Sequence, residues 1–138
     1  LSPAGALVNY TVTSNTASFT IGSATPTITL TPGSYTYAGS GQGPVAGDVN
    51  RGGSTGAITL SYVGTGGTTY AASATPPTAA GSYTVTASVA ADAAFNAASS
   101  SATAFTIDKK AASVTANAAG KAFGAVDPAL TGTLSGLM

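Results

Sequence analysis

Histidine, cysteine and glutamate are all absent, and only four basic and four acidic residues occur in 138 positions. Without cysteine there are no disulfides and no thiolate metal ligands, so the chain carries no mark of its redox compartment. Without histidine, and with no two carboxylates close in sequence, general acid–base and nucleophilic catalysis lack their usual groups. Charged residues make up 6% of the chain, against roughly 25% in an average domain. Four basic residues in a chain of zero net charge offer no electrostatic footprint for nucleic acid or for an anionic membrane surface. No apolar run approaches the ~20 residues that a membrane-spanning helix needs.

What is present is hydroxyl, methyl and glycine. Hydrophobic residues reach 43%, with alanine the largest contributor, and there are 18 glycines, six tyrosines and four phenylalanines. A disordered chain lacks hydrophobic residues and carries net charge, and this one does neither. Its polar surface must come from Thr, Ser, Asn and backbone. Such a composition suits a secreted surface protein better than a cytosolic enzyme, which relies on charge for solubility.

The chain also repeats itself. Phe19-Thr20-Ile21 returns as Phe105-Thr106-Ile107, 86 residues later. The register continues downstream, with Ile28 opposite Val114, Thr29 opposite Thr115 and Tyr37 opposite Phe123. Upstream, Asn9-Tyr10 falls near Phe95-Asn96 when one residue is skipped. A period of this size divides the chain into three parts. Residues 1–21 read as the last strands of a preceding repeat, 22–108 as one complete repeat, and 109–138 as the start of a following one. A module of about 86 residues can bury a usable core, though one of only modest stability. Leu1 stands mid-pattern, as in a fragment of a longer polypeptide.

Local patterning predicts strands. Thr27–Leu30, Ala57–Tyr62, Ser82–Val89 and Ala112–Ala116 alternate hydroxyl or small residues with Val, Ile, Leu, Ala and Tyr, which is the half-buried strand signal. Ile58, Leu60, Tyr62, Tyr83, Val85, Ala87 and Val89 should face a core, and the Thr and Ser between them water. Breakers separate these segments: Pro32-Gly33, the glycine-rich stretch Gly39–Gly56, Gly64–Gly67 and Pro76-Pro77. In the alanine-rich stretch from Ala87 to Ala104, continued alternation favours strand, a turn over Asp92–Asn96, then strand. The expected fold is all-β, an immunoglobulin-like β-sandwich repeated in tandem, with a β-grasp-like module as the alternative.

Pro26–Gly39, Gly64–Tyr70, Pro77–Val85 and Asn96–Ile107 together resemble the glycine-rich, mostly-β repeats called MBG domains. Phe123-Gly-Ala-Val-Asp-Pro-Ala-Leu130 is similar to a second subtype, in which tyrosine usually replaces Phe123. Ala38 stands where many relatives carry Asp or Asn before glycine. The resemblance implies tandem bacterial immunoglobulin-like modules in long secreted or outer-surface proteins of the adhesin type. It brings no catalytic motif.

Several residues invite a chemical reading and are better read as structure. Asp48-Val49-Asn50 alternates oxygen ligands as calcium loops do, but Asp48 stands alone and a 6–8 oxygen shell needs more carboxylates, so a turn is expected. Asp92 and Asp108 would form a site only if folding brought them together. Lys109, Lys110 or Lys121 with Asn117 would make an isopeptide crosslink only beside a buried carboxylic acid. Tyrosines could offer stacking faces to sugars, but in alternating strands they serve core packing. No catalytic, cofactor or metal residue is assigned, no cofactor is expected, and an enzyme is not. The expected function is a structural stalk or fibre repeat at the bacterial cell surface or outside the cell. Its partners would be neighbouring repeats or identical subunits, and it neither binds nucleic acid nor inserts in a membrane. The alternatives are a subunit of a self-assembling extracellular filament, joined by strand complementation between open half-modules, and an adhesion module. The latter would touch a host or matrix glycan or protein through Gly39–Gly56 or Gly64–Tyr70.

Overall fold

A computed structural model describes residues 15–137 together with Thr11 and Thr13. The expected correspondence of Asn9-Tyr10 with Phe95-Asn96 lies outside the described residues. Within them the chain is all-β: β1 (Thr29–Leu30), β2 (Tyr35–Thr36), β3 (Val49–Asn50), β4 (Ile58–Thr65), β5 (Gly81–Val89), β6 (Ala98–Ser99), β7 (Thr103–Asp108), β8 (Ser113–Ala116) and β9 (Gly132–Ser135). The one helical feature among them is a three-residue 3-10 turn at Ala46–Asp48. No α-helix is present there to lie across a sheet, as a β-grasp module requires.

The architecture grows from β5. Its alternation buries Tyr83, Val85, Ala87 and Val89 and leaves Ser82, Thr84, Thr86 and Ser88 on the opposite face. It pairs antiparallel with β4 along eight positions, from Ile58↔Val89 to Thr65↔Ser82, and with β7 from Gly81↔Ile107 to Val85↔Thr103. The same period-two pattern in β4 therefore brings Thr59 opposite Ser88 and Ser61 opposite Thr86, a ladder of hydroxyls facing solvent. β6 continues beside Val89 and Ser88. Between β6 and β7 the ladder is carried across an irregularity by Ser100, whose N–H donates to the Ala87 carbonyl at 2.8 Å while its hydroxyl accepts from the Ala87 N–H at 3.0 Å. The sheet order is β2-β7-β5-β4, with β6 on β5.

A second, two-stranded sheet pairs β1 with β3 antiparallel. Ile28 and Leu30 from this side join Tyr62, Tyr83, Val85, Ala87, Val89, Phe105 and Ile107 in one core cluster. Phe105 sits at its centre. Tyr83 stacks on it at 5.5 Å, and Tyr35 and Tyr62 meet it edge-on at 5.6 and 6.2 Å. Each such aromatic pair contributes about 0.5–1.5 kcal/mol beyond area burial. The phenol groups stay satisfied: Tyr62 donates to the Pro44 carbonyl and Tyr83 to that of Ala79.

Three strands went unread in the sequence: β2 behind Pro32-Gly33, β3 inside the glycine-rich stretch expected to be loop throughout, and β9 beyond Asp127-Pro128. β2 and β3 are each two residues long and too short to show a period.

Beyond β7, β8 pairs antiparallel with β9 in a separate sheet. This hairpin repeats the β1–β3 pairing 86 residues on: Leu30 faces Val49, and Ala116, its counterpart, faces Gly132. The connection is three residues shorter and the register shifts by the same three, as a deletion in the connection demands. Surroundings differ sharply between the copies. Phe105 and Ile107 are 6% and 2% exposed, whereas Phe19 and Ile21 are each 87% exposed. Ile28 is 7% exposed and Val114 72%.

Candidate functional site

The densest cluster of polar side chains lies where β5 ends. Asp92 opens the turn after β5, and its carboxylate collects five donors. One oxygen accepts from the N–H groups of Ala94 and Phe95 at 2.8 and 2.9 Å. The other accepts from the Ser54 hydroxyl and the Thr55 N–H, both at 2.7 Å, and from the Thr55 hydroxyl at 3.2 Å. The Ala94 N–H, then the Ser54 hydroxyl and the Thr55 N–H, with a smaller share from the Phe95 N–H, hold this carboxyl well below its ordinary value against the opposing effect of burial. Ser54 is itself buried and accepts from the Gly56 N–H at 3.1 Å. Arg51 closes the loop from the other side through the Gly56 carbonyl at 2.9 Å. The same turn binds the N-terminal side of the module. Ala24 donates to the Ala94 carbonyl and accepts from the Asn96 N–H, and the Asn96 amide reaches the Ser23 carbonyl.

Chemically this is a clasp. A carboxylate has about four lone-pair positions, and five donors leave none for a cation or a substrate proton. Ser54 is the residue that sequence reasoning passes over, although Gly52-Gly53-Ser54-Thr55-Gly56 carries the Gly-x-Ser-x-Gly spacing of a nucleophile elbow. An elbow places its serine, exposed, between a strand and a helix beside a histidine. Here Ser54 is 3% exposed, precedes strand β4 and points its hydroxyl at a carboxylate.

The other residues singled out from sequence are spread over the molecule. Asp48 accepts from the Val45 N–H at 2.8 Å, and the Asn50 side chain accepts from the Gly52 N–H at 2.9 Å, so both serve their own turns. Asp92 and Asp108 stand at opposite ends of β5, since Asp92 follows Val89 whereas Ile107, beside Asp108, pairs with Gly81. Among the described residues no three His, Cys, Asp or Glu side chains are grouped for a metal. Lys121 pairs with Asp127, and Asn117 exchanges hydrogen bonds with Thr131 and Thr133. The structure therefore brings neither Lys121 nor Asn117 to the other. Tyr35, Tyr62, Tyr70 and Tyr83 turn their rings toward one another and Phe105. Burial, followed by the neighbouring Tyr35, raises the Tyr62 phenol, and burial likewise raises Tyr83. The Pro77–Val85 segment acts as a strand start, with Pro77 and Tyr83 buried and the Pro77 carbonyl accepting from the Gln42 N–H.

An open groove of about 510 Å³ runs beside β4, β5 and β6, lined by small residues such as Ala57, Thr59, Ser88 and Ser99. A second shallow groove of about 260 Å³ lies near Gly81 and Asp108. No helix among the described residues is long and apolar enough to cross a membrane. Comparison with protein-family models, curated proteins and solved structures finds no match.

Proposed function

We propose that this chain is a structural repeat unit of a long bacterial secreted or surface protein: an MBG-type, immunoglobulin-like sandwich that builds length in a stalk or fibre. The observation that carries this is the contrast between equivalent residues. In the complete repeat, Phe105, Ile107 and Ile28 fill a private core; their counterparts Phe19, Ile21 and Val114 stand in the open. Exposed apolar side chains with buried counterparts belong to neighbouring modules of the same kind, and stacked modules turn repetition into reach.

Two measurements test the proposal. Concatemers of residues 22–108 should lengthen by a constant increment per repeat in small-angle scattering; a compact particle would defeat the stalk reading. Protease treatment of intact producing cells should release peptides of this chain. Recovery only after lysis would remove the surface location.

A further inference from the structure

We infer that the short parallel pairing of β2 with β7 is a mechanical clamp, the element that carries tension through the module. This rests on the stalk reading for its biological use, but its mechanics follow from topology. Tyr35 pairs with Ile107 and Thr36 with Asp108 in parallel, and the Tyr37 N–H extends the ladder to the Asp108 carbonyl at 2.8 Å. Side chains reinforce it: Tyr35 meets Phe105 edge-on, and Ile107 is buried in the core.

Direction decides how these bonds are loaded. Tension from the N-terminal side first meets the single parallel bridge of Ala24 with Phe95 and the two-residue β1–β3 pair, and reaches β2 at its start once these short contacts yield. Tension from the C-terminal side reaches β7 at its end, through Lys109. Because the two strands run the same way, these points lie at opposite ends of the pair. Pulling therefore slides one strand along the other, and the bonds across the pair must yield together. In an antiparallel pair of first and last strands, the two loading points would sit side by side and the bonds would open one after another. The long β4–β5 and β5–β7 ladders sit behind this pair and are spared until it gives way.

The chain has no cysteine, so engineered cysteine pairs give unambiguous handles for single-molecule force spectroscopy on the full chain. Gly22→Cys with Lys110→Cys loads the pair along its length. Ser40→Cys with Lys110→Cys places both handles beyond the same end and peels it. All three positions are exposed. At equal constant force the first geometry should unfold more slowly than the second, since forced unfolding reads the barrier. Tyr37→Pro removes one N–H donor and should shorten the lifetime in the first geometry by up to roughly tenfold, the value of one hydrogen bond. Equal lifetimes in the two geometries would overturn the clamp, as would a folded Tyr37→Pro chain with an unchanged lifetime under lengthwise load. If that variant fails to fold, the comparison of geometries decides alone. Failure of the clamp would leave the scattering and cell-surface tests of the stalk untouched.

Discussion

Asp92 shows how one side chain can hold three segments together. Its five donors come from the loop before β4 and from its own turn, and that turn also grips Ser23–Thr25. Because folding lowers its pKa from 3.8, its contribution is present above that value and is lost as pH falls below it. The melting temperature should therefore drop on acidification below about pH 4. Asp92→Asn should melt lower at neutral pH and show a flatter acid limb in circular dichroism; an unchanged limb would place the acid sensitivity elsewhere. Tyr62 and Tyr83 work in the other direction. Their raised phenols contribute stability below the ordinary value of 10.0 that is lost as pH rises above it, so unfolding should accelerate in strong alkali. Gly56 is fixed by space. A methyl group there would meet the Ala90 carbonyl oxygen at 1.9 Å, and Gly56→Ala should cost about 1–3 kcal/mol in chemical denaturation.

At the scale of the strand, identical motifs have unequal energetic weight. Phe105→Ala removes the centre of the aromatic cluster and should cost about 3–5 kcal/mol. Phe19→Ala, in the matching position of the flank, should fall within about 0.5 kcal/mol of wild type. Urea titrations of the two variants side by side check this, and equal losses would mean that the flank is packed in solution. The alternation of β4 and β5 was legible because each strand is long enough to show period two, and Tyr62, Tyr83, Val85, Ala87 and Val89 are buried as that period requires. Strands β2 and β3 were not legible. Their two residues are strand only because β7 and β1 supply partners, which is a property of neighbours and not of propensity.

For the whole molecule, the expected solution state follows from a core built within one chain. Because the residues from Ile28 to Ile107 bury one another without a second copy, static light scattering should return a concentration-independent mass. Growth of the mass with concentration would instead favour the filament alternative. The uncharged stretch from Gly52 to Ala91 spans both long strands of the central hairpin. Solubility there depends on the Thr and Ser ladder, so hydroxyl-to-valine changes at Thr59, Ser61 and Thr86 should promote association without unfolding.

The 86-residue repeat, the β-strand periods and the poverty of ionisable groups are properties of residue order and type, and they determined the all-β class and which faces of the long strands are buried. The clasp and the clamp were settled only in three dimensions. Asp92 meets Ser54 across 38 positions, and Thr36 meets Asp108 across a still longer separation along the chain. Contacts between residues so far apart leave no local period, because they are chosen by the packing of the strands between them.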